Sequence, residues 1–444
     1  MINKPDRTLL IIAYFFPPLG GIAVHRAVKF ARYLPEFGWR PVILTVRNSP
    51  FPLRDEALIN QLPPDIQIFR APTIEPAHGY KLFQSIGPKS KKTSMKILSN
   101  NGGNHKPKRS FLIRLQNWLF IPDGYIGWAP FALSLGRKLL KQIKPDAIFS
   151  TSEPYTSHLI ARQFVKKYPV PWIMDLRDPW VTNQFYLPPT HWHFSLVNRL
   201  ERSCVTLADR VVSVTPSLTD EMCQRYPDQD QTKFITLTNG FDSDDFDASV
   251  RPDPKCFSIR HVGSMYGGRN VLLFLEGLLL ALKHEPNLQN CLQIEFIGDM
   301  NQSNQQAWDT FVTTHTLQKQ LTRRSFIPHG QAVRLMQQSH VQLLILGDGH
   351  NLSRVYTGKL LEYLGTGRPI LAMAPSDTTI PLINELEAGV VVNHNDPQAV
   401  ANAILTYYQW FQRGDLENWS SKGAEIFERR SITQQLASQL DQLI

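Results

Sequence analysis

A β-prone run, Thr8-Leu9-Leu10-Ile11-Ile12-Ala13, meets Tyr14-Phe15-Phe16-Pro17-Pro18 and then Gly20-Gly21. A helical pattern follows from Ile22 to Phe37, with apolar positions at Ala23, Ala27, Phe30, Ala31 and Leu34. Gly38 stops it, and Pro41–Val46 reads as the next strand. Strand, glycine loop, helix, glycine, strand is the grammar of a βαβ unit, because parallel neighbours need a long crossover and that crossover is right-handed. The grammar recurs with a strand at Asp146–Ser150, a helix at Tyr155–Tyr168 and a strand at Trp172–Asp175. Arg210–Val214 and Phe234–Leu237 read as the last strands of this half.

The same alternation restarts after an acidic, proline-punctuated stretch from Thr238 to Pro254. Phe257–Val262 is a strand, Asn270–Lys283 a helix and Leu292–Ile297 a strand. Arg324–Ile327 leads to His329-Gly330, a helix at Ala332–Gln338 and a strand at Val341–Leu346. A helix at Lys359–Leu364, a strand at Pro369–Ala374, a helix at Ile380–Leu386 and a strand at Gly389–Val392 complete it. Two consecutive doubly wound α/β domains are expected, with ligand at the carboxyl ends of the strands. Their expected limits are residues 1–245, carrying a basic insertion at about 76–122, and residues 255–410. Residues 411–444 read as helix, free to pack back on the first domain.

Charge separates the two halves. The formal net charge is +9, yet residues 1–250 carry 31 basic and 21 acidic side chains against 16 and 17 in the remainder. Different partners for the two halves are expected. Cys204, Cys223, Cys256 and Cys291 are widely spaced, without a C-x-x-C pair, which argues against a zinc knuckle or a disulfide framework. Neither a secretory h-region nor an apolar run of spanning length is present, so a cytoplasmic chain is expected, any membrane contact being peripheral.

Between Glu75 and Asp123 no acidic residue occurs, while Lys81, Lys89, Lys91, Lys92, Lys96, Lys106, Lys108, Arg109 and Arg114 do. Phe111, Leu112, Ile113, Leu115, Trp118, Leu119 and Phe120 follow or interleave. This pattern fits a surface helix lying on an anionic bilayer at the inner face of the plasma membrane. It fits equally a solvated loop followed by a core helix. No recognisable nucleic-acid module accompanies the basic stretch.

Three glycine-bearing passages carry the chemistry. Gly20-Gly21 stands where the first strand turns into the first helix, a place where backbone amides bind anions. It is not the spaced G-x-G-x-x-G fingerprint of nicotinamide binding. His261-Val262-Gly263-Ser264 through Arg269 repeats the design with a cation at the loop, which suits a diphosphate. In Gly358-Lys359-Leu360-Leu361-Glu362, Lys359 and Glu362 share a helix face, either as an ordinary exposed ion pair or as groups for a phosphate and a ribose diol.

Gly358–Leu371 resembles the K-L-x-E-Y-L-x-x-G-x-P-I stretch of family-4 retaining glycosyltransferases with the GT-B fold. Gly20-Gly21 with Arg26 resembles that family's opening loop and first helix. Thr238-Asn239-Gly240-Phe241-Asp242 is similar to its P-N-G-V-D linker entry, and Val262-Gly263 through Arg269 to its G-x5-K/R phosphate loop. The resemblance implies two Rossmann-like domains facing across a cleft, a nucleotide-diphosphate-sugar donor on the second and a glycan or lipid-linked acceptor on the first. It implies Arg269 and Lys359 at the diphosphate, Glu362 at the ribose, and Gly330 bordering the base. Gly263, Ser264 and Leu360 belong to the same implied donor set. Transfer would retain anomeric configuration and need no metal or other cofactor. Asp242-Ser243-Asp244 has D-x-D spacing but falls in the linker, where a cap is expected.

The passage Trp172–Trp180 resembles the R-D-x-W segment of bacterial members that build cell-surface polysaccharide. Asp178 is expected to position or deprotonate an acceptor hydroxyl, unless Asp178 with Arg177, or Asp175 with an arginine, merely fixes the loop. Gly20, Gly21, Arg26 and Arg177 complete the expected acceptor side. Phe15, Phe16, Trp180 and Tyr186 line an acceptor or pack a core, and His158 reads as a core or surface histidine. Three positions depart from the family pattern: Arg354 where a donor-sugar Glu is common, Ser264 where Arg is common, and Ser152 near the usual His. A changed donor contact accounts for them. Rival readings are a nucleotide-sugar 2-epimerase and a non-catalytic nucleotide-sugar-binding protein.

Overall fold

The structure, a computed structural model, describes residues 7–75, 118–183, 188–265, 268–325, 327–347, 355–375 and 379–444. Most of the basic insertion, Tyr186 and Arg354 lie outside these residues. The chain divides into two compact units. One holds the N-terminal residues up to Thr238 together with Arg429–Ile444, the other Asn239–Glu428. The divide falls at 238/239, at the head of the acidic stretch expected to mark it, and the return occurs at Arg429 rather than 411.

The first unit runs β1 (Arg7–Ile12), α1 (Ile22–Tyr33), β2 (Trp39–Val46), β3 (Gln67–Ala71), α2 (Ala129–Ile143), β4 (Ala147–Thr151), α3 (Thr156–Val165), β5 (Trp172–Leu176), α4 (His191–Leu207), β6 (Arg210–Ser213), α5 (Pro216–Arg225) and β7 (Phe234–Thr236). Its sheet is parallel throughout, in the order β3-β2-β1-β4-β5-β6-β7. Strands covered on both faces are buried at every residue, as Ala147–Thr151 and Trp172–Leu176 are, with Ser150, Thr151 and Asp175 as buried polar members.

The second unit runs β8 (Phe257–Val262), α6 (Val271–His284), β9 (Leu292–Ile297), α7 (Gln302–Thr314), β10 (Leu321–Arg324), α8 (His329–Gln337), β11 (Val341–Ile345), α9 (Gly358–Thr366), β12 (Ile370–Ala374), α10 (Thr379–Glu385), β13 (Gly389–Asn393) and α11 (Pro397–Arg413). Its sheet repeats the order as β10-β9-β8-β11-β12-β13, again all parallel. Strand β10, Leu321–Arg324, escapes the sequence reading, in which Arg324–Ile327 only leads to His329-Gly330. Leu321 and Arg324 register against Ile294 and Ile297 of β9, while the chain beyond turns toward α8.

The last helix, α12 (Arg429–Asp441), joins the first unit through Ile432, Leu436 and Leu440, which enter its core. Asp441 also accepts from Trp39 Nε1 at 2.8 Å and from Arg7 at 2.9 Å, and Arg430 pairs with Glu36 at 2.6 Å. In each unit strand order reverses beside the first strand, between β1 and β4 and between β8 and β11. Such reversals open a crevice at the carboxyl ends of the strands.

Candidate functional site

In the second unit β8 ends at Val262 and hands the chain to Gly263, whose φ of +122° is a conformation side chains rarely adopt. A Cβ there would lie 2.1 Å from Lys359 Cε, so the bare backbone is what lets the lysine cross the loop. Gly298, after β9, sits as close beneath: its Cβ would lie 2.7 Å from the Gly263 carbonyl carbon. Lys359 is the second residue of α9, whose start is fixed by Thr357 accepting from the Leu360 amide. The helix N-terminus and its unbonded amides add positive potential at the same place.

Lys359 Nζ donates to the Ser264 carbonyl at 3.1 Å, and Arg269 Nη1 donates to that same oxygen at 3.1 Å. Two cations from distant parts of the sequence thus converge on one acceptor. Desolvation lowers the Lys359 ammonium to about 7, Arg269 pushes the same way, and Glu362 opposes. Glu362, one turn further along α9, meets His329 Nε2 at 2.9 Å. Gly330 follows His329 in the first turn of α8, with nothing within 4 Å of where its Cβ would stand. Leu360 is buried and holds the helix to the core rather than offering a polar group.

The residues expected on the acceptor side lie in the first unit. Arg26 is corrected from an acceptor contact to a strut. It is 4% exposed, grips Asp175 through Nε and Nη2 at 2.7 to 3.2 Å, and donates to the Leu237 and Thr238 carbonyls. Its planar fork matches the carboxylate, and Thr151 Oγ1 supplies a further bond to Asp175 at 2.6 Å. The Gly20 amide is likewise engaged, by the Leu53 carbonyl at 3.0 Å, whereas Gly21 caps α1 at φ +96°. Arg177 donates to the Ala23 carbonyl at 3.0 Å. Phe15, Phe16 and Trp180 are core residues, and Trp180 stacks on Tyr155 at 4.9 Å. His158 is fully buried, with Nδ1 at 2.8 Å from Ser150 Oγ.

Asp178 lies two residues past β5, where burial raises its carboxyl and Arg177 opposes. The sequence reading missed its neighbour Glu153, in Ser152-Glu153-Pro154 just past β4. Desolvation first, then Asp178 and Asp123, raise Glu153 to about 7. The side chain keeps a solvent-open face, so water damps this effect in any energetic account. Asn183 Nδ2 donates to it at 3.2 Å. Asp123 accepts from the Thr156 amide and hydroxyl at 3.0 and 2.7 Å. The sequence reading missed His261 too; a histidine two residues before the loop glycine Gly263 was the available signal.

Asp242 acts as the cap of a short turn, accepting from the Asp244 amide at 3.1 Å. Among the described residues no cluster of three His, Cys, Asp or Glu side chains is arranged to hold a metal ion. Nor is any helix among them long and apolar enough to cross a membrane.

Two parallel Rossmann-like sheets, the second with cations at its switch point, define the class as GT-B. Residues 106–238 match the family model of the glycosyl transferase 4-like domain. No curated protein matches the chain significantly. Among solved structures, a glycosyltransferase from Rickettsia africae is 14% identical with a TM-score of 0.61, covering 99% of each chain. HepE from Anabaena in complex with UDP is 14% identical at TM-score 0.60, over 98% of this chain and 100% of that one. UDP-GlcNAc 2-epimerase from Methanocaldococcus jannaschii is 12% identical at 0.52, over 98% and 99%. The chain has the GT-B fold of these structures, and its residues 106–238 are similar to the glycosyl transferase 4-like domain, in line with the resemblance to family-4 glycosyltransferases.

Proposed function

We propose that the protein transfers a sugar from a nucleotide-diphosphate-sugar donor bound by the second unit to a lipid-linked or polysaccharide acceptor bound by the first. The observation that carries the reading is the shared bond of Arg269 and Lys359 to the Ser264 carbonyl. One neutral oxygen is a poor partner for two cations, and a diphosphate is the better one. Glu362 offers a carboxylate for two ribose hydroxyls at the matching helix position, and Gly330 leaves room for a base. The HepE structure was solved with UDP, which supports a nucleotide ligand for this fold.

In this reading the acceptor oxygen bonds to the anomeric carbon on the face from which the phosphate departs, so configuration is retained. The departing phosphate oxygen takes the hydroxyl proton. Arg269 and Lys359 offset the charge that builds on the leaving diphosphate, the task a metal performs elsewhere. Asp178 orients the acceptor hydroxyl. Exposed Trp118, Leu119, Trp192 and Phe194, with His193 Nε2 at 3.1 Å from the Trp118 carbonyl, support peripheral contact with an anionic membrane.

Nucleotide diphosphates and their sugar conjugates should raise the melting point of the protein. Lys359→Ala and Glu362→Ala should abolish that rise and any transfer while circular dichroism stays unchanged. Full transfer by either variant would sink the assignment. Because an epimerase shares the fold, donor must also be incubated alone. A new sugar nucleotide formed without acceptor would favour epimerisation, and chelator insensitivity is expected throughout.

A further inference from the structure

His261 occupies β8, fully buried, with its ring stacked on Phe296 at 5.2 Å. A polar ring in such a place is costly unless both nitrogens are satisfied. Nδ1 lies 2.9 Å from the Leu343 carbonyl of β11. A carbonyl can only accept, so Nδ1 carries the proton and Nε2 presents a lone pair. That lone pair meets Lys359 Nζ at 3.1 Å. Burial, then Lys359 and Arg269, hold the imidazole far below the ordinary histidine range, so it stays neutral beneath the ammonium.

We propose that His261 is a positioning residue for the donor site, fixing the Lys359 ammonium beside Arg269. This inference rests on the nucleotide-sugar reading. An arriving diphosphate then takes over the hydrogen bonds now spent on the Ser264 carbonyl, while the bond to His261 persists. Every other group facing the ammonium has a separate task. Arg269 and Ser264 come from the loop after β8, and Glu362 of α9 is held by His329 of α8. Tyr363 of α9 has its hydroxyl engaged by the Val262 amide at 2.8 Å and the Leu343 carbonyl at 3.3 Å. Among the described residues His261 alone anchors the lysine from below. A lysine so desolvated is partly the neutral amine near pH 7 and takes up a proton when an anion arrives, so ligand binding and proton uptake are coupled here.

The test needs no knowledge of base or sugar. Acylation of Lys359 is followed by peptide mass spectrometry against pH, with and without inorganic pyrophosphate. In the wild type the labelling midpoint should lie far below that of surface lysines, and pyrophosphate should protect. In His261→Leu the ammonium loses an acceptor and gains an apolar neighbour, so the midpoint should fall further, and pyrophosphate affinity should fall roughly tenfold to a hundredfold, as for loss of a bond to a charged group. His261→Gln, whose amide can donate to Leu343 and accept from the ammonium, should recover most of the loss. An unchanged midpoint and affinity in folded His261→Leu would overturn the proposal. If that variant does not fold, nitrogen NMR of the wild type decides. A neutral, Nδ1-protonated ring supports the proposal and an Nε2-protonated ring refutes it. A midpoint that shifts without any pyrophosphate protection would refute the donor-site role and the nucleotide-sugar reading, leaving the anchoring of Lys359 intact.

Discussion

The two switch points of this molecule share a strand order and carry opposite chemistry. Past β8 and at the start of α9, two cations gather around one carbonyl, above a neutral histidine. Past β4 and β5, carboxyl groups gather instead: Glu153 and Asp178, with Asp123 near, while Arg26 is neutralised by Asp175. One architecture thus gathers cations in one unit and, in the other, carboxyl groups whose proton affinity is raised. The teaching is that Rossmann order fixes where a site lies and loop residues fix what it can bind.

The comparison is most severely broken by removing the strut. Asp175→Ala leaves a buried guanidinium without its partner and should destabilise the protein by about 3–5 kcal/mol, read from urea denaturation. A loss under about 1 kcal/mol would mean Arg26 finds another partner. The cradle is broken by Gly263→Ala. Its Cβ would meet Lys359 Cε at 2.1 Å and would sit at φ +122°. Nucleotide-diphosphate affinity should drop about a hundredfold in calorimetry, near the low end for losing an oriented charged donor.

Two pH experiments sharpen the contrast. Lys359, lowered to about 7, holds its charge below that pH and loses it above. Nucleotide-diphosphate affinity should therefore fall between about pH 7.5 and 9, approaching tenfold per unit, whereas Lys359→Arg should show a flat profile because arginine stays protonated. The smallest effect belongs to Glu153. Its folded-state carboxyl titrates near 7 against an ordinary 4.5, so the folded state holds the extra proton between those values. Stability should fall slightly as pH rises through that window and level off above it, and Glu153→Gln should remove the dependence. A carboxyl NMR midpoint near 4.5 would show that the solvent-open face dominates.

Much of this was legible in the residues themselves. Phe257–Val262 and Leu292–Ile297 match the observed strands end to end, since apolar residues at alternate positions, closed by Gly263 and Gly298, have few other solutions. Strands β3 and β10 and helices α2, α4, α5, α7 and most of α11 escaped notice. Gln67–Ala71 is an edge strand with only Ala71 buried, so it lacks the apolar run that betrays its neighbours. Helices such as Gln302–Thr314 carry a largely polar face and are caught only by their caps, here Asn301 accepting from the Asn304 amide.

Sequence by itself determined the alternation of elements, the two-unit plan and the shared helix face of Lys359 and Glu362. Those are local properties, set by backbone sterics, apolar periodicity and spacing along one helix face. Only tertiary structure decided that Arg269 and Lys359 share the Ser264 oxygen, that His261 lies under the lysine, and that Arg26 is spent on Asp175. Each of those pairings joins residues tens to hundreds of positions apart. Burial then sets which partner each charge must find, and no local pattern encodes that choice.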